Sequence, residues 1–222
     1  MKTLCSALML LIFLAAAGCA GFRSGLASIP YVGEVEPAPA PSVTTYELYK
    51  LKEIQLPGVK LDISLNNTIR TSDLQTMLFV VPMSFDPRDK PSLGENDRLM
   101  VRLTIIPDDS GFVFDPSGVT VTVDEQVFHP TTTMLVNAAK LHAYLKSTSG
   151  HRYDPSLSSD LVDEKIVLIK DKSYSLYIIF DCPVPTPGRV IRLDIGRALL
   201  HPKLPDIPTI RFMKIRWKEG YT

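Results

Sequence analysis

The chain has 222 residues, with 24 Lys and Arg against 24 Asp and Glu, so its formal net charge is zero. This length is sufficient for one sizeable domain or two small ones. Because the charges balance, the protein as a whole does not attract a polyanion, and we expect no nucleic-acid partner.

The N-terminal segment has the composition of an export signal. Lys2 precedes an apolar run from Leu4 to Ala17, and Gly18 and Cys19 follow. The run is shorter than the roughly 20 apolar residues that a membrane-spanning helix needs. Small residues directly before a cysteine resemble the lipobox of bacterial lipoproteins, although Ala16 stands where that family prefers Leu.

The resemblance covers residues 1–21 and implies a lipid anchor. It implies that residues 1–18 are a signal peptide that is removed, and that Cys19 carries diacylglycerol and an amide-linked acyl chain such as palmitate. Two or more acyl chains give stable membrane attachment. Ala20, rather than Asp, follows the cysteine, which in lipoproteins of two-membrane bacteria implies the outer membrane. We therefore expect a domain that faces the periplasm.

Cysteine usage depends on the same segment. The chain has three cysteines. Cys5 leaves with the signal and Cys19 is acylated, so Cys182 becomes the lone thiol and is predicted to pack in the core as a small apolar group. The alternative is ordinary signal cleavage after Ala15 or Ala17, which would leave Cys19 able to form a disulfide with Cys182.

A tether is predicted between the anchor and the folded domain. We expect residues 19–45 to form this lipid-anchored tether, because residues 36–41 alternate Pro with Ala or Glu, a composition typical of extended polyproline. At about 3.1 Å per residue, it could hold the domain at most roughly 80 Å from the membrane. The domain is then predicted over residues 46–222, and its first segment, 46–54, fits either a strand or a short helix.

The domain is predicted to be mainly β. Alternating apolar and polar residues, or unbroken apolar runs, are typical of strands. Strands are predicted on this basis over 59–65, 77–81, 99–105, 119–123, 166–169, 173–180, 190–195 and 210–217. Two hairpins are expected, one across Asp124-Glu125 and one across Lys170-Asp171-Lys172.

One helix interrupts this pattern, and the whole predicts a sandwich. Good helix formers and an apolar stripe favour a helix from Thr132 to Lys146. Many short strands with one short helical insertion predict a single β-sandwich, with the immunoglobulin fold as a candidate topology.

Motifs of common catalytic sites are missing from the sequence. The P-loop, the dinucleotide fingerprint, His-Glu-x-x-His, Gly-x-Ser-x-Gly and paired-cysteine zinc spacing do not occur. We therefore expect a protein that is not an enzyme and that has no cofactor and no resident metal. The alternative is a hydrolase with its site at Ser149, His151 and Asp154, which lie close together in the sequence.

Two groups of residues are candidates for ligand contact. Acidic loops, such as the one with Asp108 and Asp109, could bind calcium, although turn-forming solvated acids are the favoured interpretation. Trp217, between Arg216 and Lys218, is the candidate contact for a glycan or a partner, and burial against the core is the alternative.

The C-terminal part of the chain is basic. Residues 183–222 carry eight Lys and Arg against three Asp and Glu. The favoured interpretation is a row of alternating charges on the solvent face of strands, and the alternative is a basic face toward anionic lipid or an acidic partner.

Together these features predict a lipid-anchored, non-enzymatic binding or scaffolding module of the bacterial envelope. Its expected partners are the membrane, through Cys19, and an envelope protein that could add a strand to an open sheet edge. The alternative function is a carbohydrate- or calcium-dependent ligand-binding sandwich.

Overall fold

The computed structural model describes residues 20–38, 42–77, 81–86, 90–91, 98–137, 139–140 and 158–221. The α-helix α1 spans Thr45–Lys50, residues 139–140 are also helical, and a 3₁₀ turn spans Pro116–Gly118. The strands in chain order are β1 (Ala20–Val32), β2 (Val43–Thr44), β3 (Glu53–Leu56), β4 (Val59–Leu65), β5 (Ile69–Met77), β6 (Val81–Asp86), β7 (Lys90–Pro91), β8 (Arg98–Pro107), β9 (Val113–Phe114), β10 (Thr120–Val123), β11 (Gln126–Phe128), β12 (Pro130–Val136), β13 (Ser159–Leu161), β14 (Ile166–Val167), β15 (Tyr174–Pro183), β16 (Ile191–Asp194), β17 (Leu199–Leu200) and β18 (Ile210–Tyr221).

These strands form three sheets in the described part of the chain. The large sheet has the order β11-β10-β16-β18-β1-β5-β6, with β2 also beside β18 and β7 beside β5. The central sheet has the order β13-β12-β15-β8-β4-β3, and the small sheet the order β14-β9-β17. Neighbouring strands are antiparallel, except that β2 runs parallel to β18.

The main core lies between the central sheet and the β10, β16 and early β18 strands of the large sheet. Val59, Leu61 and Ile63 are fully buried on β4, while the residues between them are half-buried. Phe112 and Phe114 add fully buried aromatic rings near the small sheet. Burying a side chain of this size contributes about 1.5–3 kcal/mol. The predicted β-sandwich is thus confirmed.

The sandwich is larger than an immunoglobulin domain. Its large sheet alone has nine strands, whereas an immunoglobulin domain has about seven to nine strands in total. The likeness therefore extends only to two packed sheets. In the described residues, no helix is both long and apolar enough to cross a membrane.

A second, smaller apolar cluster lies on the outer face of the large sheet, the face turned away from the main core. Successive side chains of a strand point to opposite faces, so Met213 and Ile215 of β18 point outward where Phe212 points into the main core. Their partners on β1 are Ile29 and Ala27. Leu48 of α1 belongs to the same cluster.

The predicted tether is wrong for Ala20–Val32, which form β1. This strand pairs with β18 along one edge and with β5 along the other. Its outward residues Ala27 and Ile29 are buried in the second cluster. Backbone pairing on both edges and this burial offset the entropy of ordering the segment. The folded domain therefore begins well before residue 46, and Cys19 lies outside the described residues.

The predicted helix from Thr132 to Lys146 is wrong at its start, because Pro130–Val136 form β12. Thr132 and Thr133 are β-branched, which favours a strand, and they pair with Ile179 and Ile178 of β15. Residues 139–140, inside the predicted range, are helical, and residues 138 and 141–157 lie outside the described part of the chain. The observed helix α1 resolves the ambiguous segment 46–54, which contains both this helix and β3.

The two predicted hairpins have different outcomes. The turn at Asp124 and Glu125 is confirmed, with φ of 45° and 77°, because positive φ at both central residues is the geometry of a type I′ turn. The second hairpin is wrong, since Ile166–Val167 pair with β9 rather than with β15.

The prediction of a single strand over the apolar run 77–81 is wrong. Met77 ends β5 and Val81 begins β6, and the two residues are antiparallel partners. Residues 78–80 lie outside the described part. An apolar run can thus contain the connection between two strands, which periodicity alone does not distinguish from a buried strand.

Candidate functional site

A groove of about 260 Å³ opens between the start of β16 and the neighbouring part of β18. Its lining includes four basic side chains, one acidic side chain and one tyrosine, namely Arg189, Arg192, Arg211, Lys214, Glu36 and Tyr31. We call this site the basic groove. It is the strongest concentration of charge of one sign among the described cavities.

Two arginines stand side by side in the basic groove. Arg192 and Arg211 are direct cross-strand partners on β16 and β18. Each lies between buried apolar residues of its own strand, Arg192 between Ile191 and Leu193. Alternation along the strands therefore turns both guanidinium groups away from the main core, onto the outer face. Like charges in this position destabilise a sheet by about 0.2–1 kcal/mol.

Tyr31 extends the same row onto β1. It is the cross-strand partner of Arg211 on the side opposite to Arg192. Arg211 is half-buried, and its Nη1 donates a hydrogen bond to the carbonyl oxygen of Glu34 at 3.1 Å. The row thus places two cations and a phenol hydroxyl, all hydrogen-bond donors, across three adjacent strands.

Arg189 and Lys214 occupy the other side of the groove. Arg189 forms an ion pair with Asp124, and Asp124 Oδ1 also accepts a hydrogen bond from the Val190 amide at 3.2 Å. Gly188 has φ of 104°, and a Cβ there would lie 3.3 Å from Cδ of Lys214. The absence of a side chain at Gly188 therefore lets the stem of Lys214 lie against the backbone.

The charge of the lining suits an anionic ligand. Glu36 is the single acid among the lining residues, and Asp124, just beyond the lining, is paired with Arg189. Guanidinium groups bind carboxylates and phosphates through two parallel hydrogen bonds, while an ammonium group acts as a point charge. The arrangement can therefore hold one or two carboxylate or phosphate groups.

The edge of β18 along the groove is open in the described part of the chain. β16 pairs with Ile210 and Arg211, and β2 pairs with Trp217 and Lys218 on the same edge. The opposite edge of β18 is occupied by β1 throughout. Between β16 and β2, residues 212–216 have no strand beside them on this edge among the described residues, as an edge that could pair with an extended segment would have. The connection from Glu36 to β2 includes residues 39–41, which lie outside the described part.

The sequence-predicted contact at Trp217 is not an exposed one. Trp217 is 6% exposed and belongs to the second apolar cluster, in line with the alternative that it packs in the interior. Its buried Nε1 has no hydrogen-bond partner among the described residues. Arg216 and Lys218 are exposed and alternate with it, so the strand turns them to the opposite face. The three residues do not form one contact surface.

Cys182 is buried, as its sequence context predicts. It is 4% exposed in the main core and is a free thiol. Burial raises the pKa of the Cys182 thiol above its ordinary value. A buried thiol that holds its proton is a poor nucleophile, so the side chain acts as a small apolar group.

The remaining candidates have little support or lie outside the described residues. Ser149, His151, Asp154 and Cys19 are in the latter group. Asp108 accepts a hydrogen bond from Gln55 at 2.9 Å. Among the described residues, no group of three or more His, Cys, Asp or Glu could hold a metal ion.

Sequence reasoning missed the basic groove as a site. The excess of cations over residues 183–222 was the available signal, but it did not show which ones converge. Arg197 and Lys203 belong to that excess yet do not line the groove. The pairing of Arg192 with Arg211 depends on the sheet order, which a local pattern does not contain.

The comparisons with known proteins do not assign this chain to a family. No family model matches the chain, and no curated protein matches it. Among solved structures, the chain is similar to an uncharacterised β-sandwich protein from Clostridium difficile 630, with 12% identity and a TM-score of 0.28. That match covers 85% of this chain and 99% of the other. A likeness at this level carries no argument about function.

Proposed function

We propose that this protein is a lipid-anchored, non-enzymatic binding module of the bacterial envelope whose basic groove holds an acidic segment of a partner protein. The observation that carries the proposal is the adjacency of Arg192 and Arg211 in a groove whose lining also includes Arg189 and Lys214. The lipobox-like segment that ends at Cys19 supports the anchor, and Ala20 after it supports the outer membrane, with the domain facing the periplasm.

The cost of the arginine pair supports an anionic occupant. Two like charges on directly opposed residues repel in the unoccupied groove. A carboxylate between them would replace this repulsion with two charge-assisted hydrogen bonds. Binding is thus favoured by relief of repulsion as well as by attraction.

The open edge of β18 favours an extended protein segment. The basic groove includes Phe212, Met213 and Lys214 of that edge in its lining. A strand added there would form backbone hydrogen bonds with β18, and its acidic side chains would lie near the arginines. Each net hydrogen bond contributes about 0.5–1.5 kcal/mol. A short segment therefore binds weakly, and anchoring both partners at one membrane raises the effective concentration.

A peptide titration tests the groove directly. The mature chain is titrated at low salt with a labelled ten-residue poly-glutamate peptide, and the affinity is measured by fluorescence anisotropy. Each charge-assisted contact is worth about 1 kcal/mol or more at a partly exposed site, so Arg192→Gln combined with Lys214→Gln should weaken binding by roughly tenfold or more.

The matched control removes the same charge elsewhere. Arg197 and Lys203 are exposed and do not line the groove, so Arg197→Gln with Lys203→Gln should leave the affinity within about twofold, a change that screening of distant charges allows. Equal losses in the two double variants would show unspecific attraction and would contradict the proposal. In cells, an intact envelope after gene deletion and no cross-linked partner would count against it as well.

A further inference from the structure

The start of β1 determines how far the domain stands from its anchor. β1 begins at Ala20, the residue directly after Cys19. From that residue onward the chain is paired with β5, and from Gly21 also with β18. An acyl group on Cys19 is therefore attached directly to the large sheet. Acylation of Cys19 would thus leave no spacer of up to roughly 80 Å and would hold this end of the sheet at the bilayer surface.

The helix α1 lies near that end of the large sheet. Thr44, which caps α1, pairs with Lys218, and Lys218 pairs with Ser24 of β1. Ser24 is four positions after Ala20, which corresponds to about 13 Å at about 3.3 Å per strand residue. A chain that leaves the bilayer at Cys19 thus reaches the level of α1 close to the lipid headgroups.

α1 presents two tyrosine–lysine pairs to solvent. Tyr46 and Tyr49 are 68% and 67% exposed, although both are large aromatic residues. Lys50 Nζ lies 4.6 Å from the centroid of the Tyr46 ring, and Lys52 Nζ lies 4.9 Å from that of Tyr49. Leu48 is buried in the second cluster and holds the helix to β18. These four exposed or half-exposed side chains, Tyr46, Tyr49, Lys50 and Lys52, form what we call the α1 surface.

Several acids lie near the α1 surface, and Glu47, which belongs to the helix itself, is engaged in hydrogen bonds. Glu47 forms a capping box with Thr44, accepting hydrogen bonds from its amide at 2.7 Å and its hydroxyl at 2.9 Å. These bonds, with the nearby charges of Lys218 and Lys50, hold the pKa of Glu47 below its ordinary value. Glu219 lies beside Lys52 in the lining of a neighbouring cavity. The charge of Asp62 also acts on Lys52, so Lys50 and Lys52 have Glu47, Glu219 and Asp62 as acidic neighbours, of which Glu47 is engaged in the capping box.

We propose that the α1 surface rests on the headgroups of the membrane that holds Cys19. The inference depends on the acylation of Cys19 in the proposed function. Tyrosine rings are enriched at the boundary between lipid and water, where the ring is apolar and the hydroxyl is wet. Lysines beside them attract anionic headgroups. The contact fixes the orientation that an acyl anchor alone leaves free.

The basic groove lies farther from the anchored end of the sheet than the α1 surface does. Arg211 and Lys218 are seven positions apart on β18, which is about 23 Å along an extended strand. The groove lies on the same outer face as α1 but toward the end of β18 opposite to the anchored end. Its distance from the bilayer is therefore greater than that of α1 when the strands run away from the membrane, which leaves it accessible to a partner in the aqueous space.

Amide hydrogen exchange of the acylated protein tests this contact. The full mature protein is reconstituted in vesicles of phosphatidylethanolamine and phosphatidylglycerol, and the Cys19→Ala protein is added to identical vesicles for comparison. Intact mass establishes the acyl chains first. One lysine at an anionic surface corresponds to roughly fivefold in equilibrium, so exchange over residues 45–52 should slow by at least about that factor in the acylated protein. Exchange over residues 189–192, in the basic groove, should be the same in both samples.

Two matched variants identify the residues responsible. Tyr46→Ser with Tyr49→Ser should reduce the slowing, since Lys50 and Lys52 remain, and Val167→Ser with Ile169→Ser should preserve it in full. Val167 and Ile169 are 70% and 59% exposed, so each variant removes two exposed apolar side chains without opening the core. Unchanged exchange over residues 45–52 in a protein that carries acyl mass would overturn this inference alone. Absence of acyl mass would overturn it together with the anchoring part of the proposed function.

Discussion

Arg192 and Arg211 are direct cross-strand partners whose side chains lie on the same face of the large sheet. Because their repulsion costs stability in the absence of a ligand, Arg192→Gln should raise the free energy of unfolding by about 0.5 kcal/mol at low salt. Salt screens the repulsion, so the gain should shrink at high salt. Urea unfolding at two salt concentrations measures both effects. A loss of stability at low salt would show that Arg192 has a favourable partner instead.

Gly188 should be necessary for both backbone geometry and the shape of the basic groove. Its φ of 104° is strained for any other residue, and a Cβ would meet Lys214 at 3.3 Å. Gly188→Ala should therefore destabilise the protein by about 1–3 kcal/mol and weaken binding of the poly-glutamate peptide.

Gly33 supplies the matched control for this substitution. Its φ is 122°, but a Cβ there would meet no atom within 4 Å. Gly33→Ala should show a comparable backbone cost in thermal unfolding while leaving peptide affinity unchanged. If the two variants had the same affinity as the parent protein, Lys214 would not need its position against Gly188.

Trp217 should contribute to stability rather than to surface recognition. The side chain is 6% exposed and packs in the second cluster with Ile215 and Leu48. Trp217→Ala should cost about 3–5 kcal/mol in urea unfolding. Trp217→Phe keeps much of the volume and removes the unpartnered indole N–H, so it should cost clearly less. A stable Trp217→Ala protein that loses glycan binding would support the surface role instead.

Because of Cys182, the free energy of unfolding should fall as the pH rises in the alkaline range. Burial, and to a lesser extent the charge of Asp181, raise the pKa of the Cys182 thiol above its ordinary value of 9.0. The folded state therefore holds the proton more tightly than the unfolded state. This contribution is fully present below the unfolded thiol pKa and is lost as pH rises through the folded one. The decline in stability above about pH 9 should be smaller in Cys182→Ala, as measured by urea unfolding. An identical pH profile would contradict this assignment.

Strands with strict alternation could be predicted from the sequence. Val59–Leu65 is confirmed with matching bounds, because one face meets the main core and the other meets solvent. β1 was missed because its alternation is weak, with Ala27, Ile29 and Tyr31 interrupted by Pro30 next to a Pro-rich stretch. Its pairing partners lie at the far end of the chain, on β18. Strands whose stability depends on such distant partners are not visible in a local window.

The site illustrates the same limit. The cationic excess near the C-terminus is visible in composition, whereas the presence of Arg189, Arg192, Arg211 and Lys214 in the lining of one groove depends on the order β16-β18-β1. Trp217 was singled out by its basic neighbours, but strand alternation places it inside and those neighbours outside. The composition thus shows that basic residues are in excess, and the strand order determines which of them line the groove.

Acylation of Cys19 is the claim on which the membrane account depends, and intact mass with membrane fractionation tests it most directly. Wild-type and Cys19→Ala proteins are expressed in the same type of cell, the cells are separated into membrane and soluble fractions, and the intact mass of each protein is measured. The account predicts a wild-type chain that begins at Cys19, carries added acyl mass and sediments with membranes, and a Cys19→Ala protein without acyl mass that does not sediment. A soluble wild-type protein without acyl mass would contradict the account and leave Cys19 as an ordinary thiol.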